Sequence, residues 1–222
     1  MKKITTFLFA VIACVTTIQA QSINWGISGG LNVSEYSSSV LKSKAGFHIG
    51  PKAEINLSNV TEGLYINTGL LITQKGAKKN YKSLGEFKLN PYFLEAPIHL
   101  GYKVGVSDKL AVFGDFGPYL AYGLFGKMKA DINAPVSKEK YSYSEDIFGD
   151  DGVLKRFDMG LGIRAGFEFM NKYQLAVTYD WGLLKTWKNS DTLDKLPEKA
   201  KNRAKNLALK NRNMMVSFSD MF

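Results

Sequence analysis

Residues Ala45 to Leu57 read AGFHIGPKAEINL. Ala45, Phe47, Ile49, Pro51, Ala53, Ile55 and Leu57 are all apolar, and the six positions between them carry no apolar side chain. A period of two marks a strand, here longer than the usual ~5–6 residues. The pattern recurs in INWGISGGLNV, LYINTGLLITQKG, PYFLEAPIHLGYK, LAVFGDFGPYLAYGL, FDMGLGIRAGFEF, YQLAVTYDWGLL and, more weakly, NMMVSFSDMF. Eight such segments are predicted, most long enough for the ~9–11 residues that cross a bilayer as a strand.

The connections alternate in length. SNVTEG, GVSD and NK are short, whereas the stretches beginning at Ser34, Ala77, Leu124 and Lys185 are long. Short turns at one end and long loops at the other are the asymmetry of an outer-membrane barrel, which places both termini on the periplasmic side. A soluble barrel of the lipocalin type also alternates, but with its apolar face inward. Three features favour lipid outside. Glycines 26, 30, 46, 50, 69, 101, 117, 160, 162, 166 and 182 crowd the polar face, as a narrow lumen requires. Trp25, Tyr92, Tyr102, Tyr122, Tyr173 and Trp181 lie on the apolar face toward strand ends, where interface girdles belong. The chain also ends on a strand with a terminal Phe222.

Composition sharpens this picture. A basic MKK, an apolar stretch and a small-residue site ending at Ala20 mark residues 1–20 as a signal peptide, cleaved to leave a barrel domain over 21–222. VIAC offers a lipoprotein-like alternative at Cys14, but the residues after it stay apolar instead of forming a polar tether. Cys14 is the only cysteine, so neither disulfides nor a thiol chemistry are expected in the exported chain. The formal charge is +9, or +7 without Lys2 and Lys3. On an exported protein this suits anionic lipid head groups, and no nucleic-acid motif accompanies it.

The ordered series WGISGGLN, GFHIG, LITQKG, YFLEAPIHLGYK, GPYLAYGL, RFDMGLGIRAGFEF and YDWGLL resembles the successive strands of PorT-like outer-membrane β-barrels over nearly the whole exported chain. The resemblance implies an integral eight-stranded outer-membrane barrel and little chemistry. The namesake's tie to protein secretion is its one functional implication. Asp220 departs from the aromatic-rich ending of such chains, at a periplasmic height where head groups tolerate a carboxylate.

Parity sends Lys52, Glu54, Lys75, Glu95, Lys103, Asp115, Asp158, Arg164, Glu168 and Asp180 into the lumen, with His48 and His99. Charges excluded from water must be paired and hydrogen-bonded, so a salt-bridged plug is expected rather than an ion path or a catalytic centre. Pairing about the VGVS turn sets Glu95 beside Asp115, with Arg164 in reach of both. No catalytic constellation, cofactor site or metal site is expected. GLGIRAG keeps its glycines on one parity, DFG lacks the other kinase elements, and EDIFGDDG fails the calcium-loop spacing and reads as a solvated loop.

Function is therefore sought in the loops. QKGAKKNYK is strongly basic, and KYSYSEDIF interleaves aromatics with charges as a protein-docking loop does. LPEKAKNRAKNLALKNR predicts a short helix in the last extracellular loop: Pro197 suits its first turn, Ala200, Ala204, Leu207 and Ala208 form a stripe, and Lys199, Lys201, Arg203 and Lys205 occupy the other faces. These cations are expected to meet lipopolysaccharide phosphates. The expected function is a non-enzymatic, monomeric envelope structural or interaction protein, with secretion or assembly as its narrower form. The partners expected are outer-membrane lipid and an envelope protein, and no nucleic acid. A narrow passive pore is the alternative and a soluble lipocalin-like carrier a distant third.

Overall fold

The computed structural model describes residues 22–37, 42–80, 85–133, 140–149, 152, 154–186 and 210–222. The leader and the loop-helix cations Lys199, Lys201, Arg203 and Lys205, with the helix expected to carry them, lie outside the described residues. The strands are β1 (Ile23–Tyr36), β2 (Lys42–Asn56), β3 (Leu64–Gly69), β4 (Leu71–Gln74), β5 (Ala77–Asn80), β6 (Gly85–Ser107), β7 (Leu110–Asn133), β8 (Lys140–Asp146), β9 (Phe157–Phe169), β10 (Tyr173–Gly182) and β11 (Asn211–Met221).

All pairings are antiparallel, and the sheet closes on itself because β1 pairs with both β2 and β11. Three short segments, β3, β4 and β5, fill one position in the wall, each bonded to β2 on one side and β6 on the other. The wall then continues through β7, β9 and β10 to β11. This makes an eight-position antiparallel barrel in which no wall strand is left as an open edge, as hydrocarbon requires.

The alternation holds in three dimensions with the apolar side outward. Leu31 is 72% exposed and Phe116 51%, whereas Glu54 and Asp158 are at most 1% exposed. That polarity of burial overturns the lipocalin-like alternative, which needs the grease inside. Tyr92 and Tyr102 lie ten residues apart on the outward face of β6, and at ~3.3 Å per residue and ~40° tilt they bracket about 25 Å, the height of an outer-membrane apolar band. The turn between β9 and β10 is tight: Met170 and Asn171 both adopt positive φ (55° and 53°), the primed geometry that suits two-residue hairpins.

Two expectations are corrected. The long connections from Ala77 and Leu124 are in part strand, since β5 and the start of β6 occupy the first, and β7 runs on to Asn133 to pair with β8 in the second. Above the lipid the outward face no longer has to be apolar, so strands persist there without the pattern that reveals them. The outward parity of β11 holds to its end: Asp220 faces out, half-exposed, 3.6 Å from Lys172 in the β9–β10 turn.

Candidate functional site in the lumen and at its mouth

The inward parity of the wall delivers polar side chains into a bore only wide enough for side chains to fill. In the half nearer the short turns they form one connected layer. Lys52 of β2 donates to Glu54 Oε1 at 2.8 Å and also to Gln174 of β10. Lys103 of β6 donates to Glu54 Oε2 at 2.9 Å and also to Glu168 of β9. Gln174 Nε2 donates to both Glu54 (2.8 Å) and Glu168 (2.6 Å), while its Oε1 accepts from Arg164 at 2.7 Å. Arg164 and Tyr65 both donate to Asp115 Oδ2 at 2.8 Å, and His99 Nδ1 donates to Asp115 Oδ1 at 2.8 Å. Lys52, Lys103 and Arg164 thus balance Glu54, Asp115 and Glu168. Half of these bonds, Lys52–Gln174, Lys103–Glu54, Lys103–Glu168, Gln174–Glu54 and Tyr65–Asp115, join strands that are not neighbours in the wall, so they bar the bore.

The half nearer the long loops is less balanced. Lys75 and Glu95 form an ion pair at 2.5 Å, at 0% and 2% side-chain exposure. Asp158 accepts from Asn211 at 3.3 Å and from Tyr119 at 3.4 Å, and Asp180 lies within electrostatic reach of Glu95, Lys75 and Asp158. Lys75 Nζ also stands 4.7 Å from the Tyr119 ring centroid. Between the two layers is a cavity of about 40 Å³ flanked by Glu95, His99, Arg164 and Asp180, room for a few waters at ~10–15 Å³ each. At the cavity wall, His48 Nε2 and Ser217 Oγ share a hydrogen bond at 2.9 Å.

Glycines make room for the large lumen groups. A Cβ on Gly101 would lie 2.5 Å from the Tyr65 ring, and one on Gly162 would lie 2.6 Å from Asp180 Oδ1. At most other polar-face glycines, such as Gly30 against the Val216 carbonyl and Gly50 against the Leu70 carbonyl, a Cβ would meet the backbone of the next strand, so close strand approach as well as lumen volume selects glycine.

The mouth at the long-loop end is capped by the chain itself. After β8 the backbone turns inward and seats Ile147 (0% exposed) and Phe148 (6%) on Tyr36, Leu89, Phe93 and Leu154. Phe148 meets Phe93 edge to face at 5.6 Å. Arg156 holds this lid down, donating to the Gly123 and Leu124 carbonyls at 2.8 and 2.9 Å with its guanidinium 5.3 Å from the Phe148 ring centroid. EDIFGDDG is therefore not simply a solvated loop: Ile147 and Phe148 are buried in the barrel, while Glu145 and Asp146 just before them are exposed.

All ten charged positions assigned to the lumen by parity, and both histidines, sit inside the barrel. The expected neighbours differ. Asp115 pairs across β6–β7 with Gly101, not Glu95, which lies opposite Ala121 and bonds Lys75 instead. The hairpin turns at Asp108–Lys109, three residues beyond the centre assumed from VGVS, so inward parity survives while every cross-strand partner moves. Arg164 reaches Asp115 but does not bond Glu95. Gln174 bonds four of these charges and Tyr65 bonds Asp115; both are uncharged, and their inward parity is the sequence signal that places them here. Among the described residues no group of three or more His, Cys, Asp or Glu is arranged to hold a metal ion.

No curated protein matches the chain. Among solved structures it is similar to Neisserial surface protein A (12% identity, 90% of this chain and 99% of that one, TM-score 0.44). It is also similar to Ail, the attachment invasion locus protein of Yersinia pestis (14%, 90% and 98%, 0.39), and to OprG from Pseudomonas aeruginosa (11%, 91% and 97%, 0.41). Residues 19–187 match the family described as outer membrane protein beta-barrel domain, and the chain belongs to that family of outer-membrane barrels.

Proposed function

We propose that this barrel is a non-enzymatic, non-conducting envelope protein that acts through its extracellular face as a structural or interaction component. The observation that carries this reading is the Ile147–Phe148 lid seated in the mouth above a bore crossed by ion pairs. A conduit needs neither a hydrophobic stopper nor bars of charge. The two histidines bond Asp115 and Ser217 inside the wall, which supports a structural role for them over a catalytic one. The β6–β7–β8 sheet rises beyond the apolar band and offers a firm platform to a partner.

The partners proposed are outer-membrane lipid, with lipopolysaccharide contacted by Lys199, Lys201, Arg203 and Lys205, and one envelope protein bound by a monomeric barrel. The resemblance to PorT-like barrels supports secretion or assembly as the setting. Cross-linking in intact outer membranes with a short amine-reactive reagent, followed by mass spectrometry, tests the protein partner. A discrete partner joined through extracellular lysines such as Lys78 is expected. Recovery of the monomer alone, from folded protein, would contradict it.

A further inference from the structure

Just above the apolar band, the outer wall carries a cluster of lysines in cross-strand register. The register sets Lys78 of β5 opposite Lys88 of β6, and Lys88 opposite Lys129 of β7. Like charges directly opposite destabilise a sheet. Lys127 lies two residues below Lys129, opposite Asn90 on one side and Asp146 of β8 on the other. Leu89 and Met128 pack toward the interior cluster, so the lysines between and beside them point outward. Three carboxylates share this level: Glu86 pairs with Lys88 at 2.5 Å, Asp131 lies opposite Glu86 within electrostatic reach of Lys88, and Asp146 faces Lys127, which leaves Lys78 and Lys129 without a carboxylate directly opposite.

Immediately beneath these cations Tyr92 and Phe125 stack with ring centroids 4.8 Å apart. Above the pair opens a groove of about 420 Å³ bordered by Asn90, Lys127, Lys129 and Asp146. Phe125 is 59% exposed and continues the lipid-facing wall. Successive outward residues on a strand stand ~6.6 Å apart and directly paired ones ~5 Å, a spacing at which two ammonium groups reach oxygens of one phosphate.

We infer that this groove binds the phosphate-bearing head group of an outer-leaflet lipid. The lysines take the phosphate, and the Tyr92–Phe125 stack takes the first carbons below it. An anion between Lys88, Lys127 and Lys129 relieves the like-charge register, and the aromatic floor at the membrane boundary favours a lipid over a free ion. The inference rests on the outer-membrane placement and on lipid as a partner, and it moves the contact from the last loop to the wall.

The test uses the chain extracted from outer membranes in mild detergent and native mass spectrometry. The probes are a diphosphorylated acylated disaccharide, the same lipid without phosphate, and inorganic phosphate. The wild-type barrel is expected to retain the phosphorylated lipid. Lys127→Gln/Lys129→Gln should lose about tenfold in affinity, while Lys109→Gln/Lys172→Gln, at the periplasmic turns, should not. Heat-modifiable gel mobility verifies that each variant is folded. Equal retention of the phosphate-free lipid, unchanged binding by the groove variant, or inorganic phosphate binding as tightly as the lipid would each overturn the inference. A missing protein partner in the cross-linking experiment leaves this outcome unaffected, so the two readings fail separately.

Discussion

Arg164 and Asp115 lie directly opposite each other on β9 and β7, and the guanidinium NH1 donates to Asp115 Oδ2 at 2.8 Å inside the barrel. Tyr65 and His99 complete the shell of the same carboxylate. Removing one partner of such a buried pair leaves a charge with nothing to answer it, at a cost of ~3–5 kcal/mol.

Asp115→Ala should therefore lower folding stability by about 3 kcal/mol, measured by urea unfolding of the barrel in lipid vesicles. Replacing both members, Asp115→Leu with Arg164→Met, should cost less than the sum of the single changes, because the orphaned charge is gone. Additive losses would show that the pair is not coupled as the geometry implies.

Gly101 and Gly105 provide a matched contrast on β6. A Cβ at Gly101 meets the Tyr65 ring at 2.5 Å and Asp115 Cβ at 2.7 Å, whereas one at Gly105 meets nothing within 4 Å. Gly101→Ala should destabilise the barrel by ~1–3 kcal/mol, and Gly105→Ala should change it by less than ~0.5 kcal/mol. The same unfolding assay reads both.

Phe148→Ala should uncover the mouth. Leu89, 0% exposed beneath the lid, can be replaced by cysteine in a chain whose only cysteine, Cys14, lies in the expected leader. A membrane-impermeant maleimide added to intact cells should label Leu89→Cys slowly with Phe148 in place and at least ~10-fold faster without it, the change expected when an opening costs over a kcal/mol less. Equal rates would mean that Phe148 does not seal the mouth.

Lys172 and Asp220 test the opposite regime. Their side chains are 46% and 48% exposed and 3.6 Å apart, so water screens the pair. Lys172→Ala should shift stability by no more than ~1 kcal/mol, and less at high salt.

Much of this architecture was legible as parity. Lipid outside and a filled bore inside impose opposite chemistries on alternate residues, so wall strands announce themselves and the inward charges identify their own side. Parity does not fix register. A turn centred three residues away preserved every inward assignment around Glu95 and Asp115 yet exchanged their partners. Gln174 carries no charge to flag it, although its amide reaches four of the charged groups. The lid was hidden differently: Ile147 and Phe148 are two apolar residues among acids, too short a run for any period to show, and only the Phe93–Leu89 surface below explains their burial.

The central claim is that the bore is closed by its own side chains and lid. Single-channel recording on the intact barrel in planar bilayers tests it most directly. The account predicts a flat baseline for wild type, at low and high voltage alike. Long-lived, reproducible openings from folded wild-type protein would contradict it and make the lumen, not the outer face, the working part of the molecule.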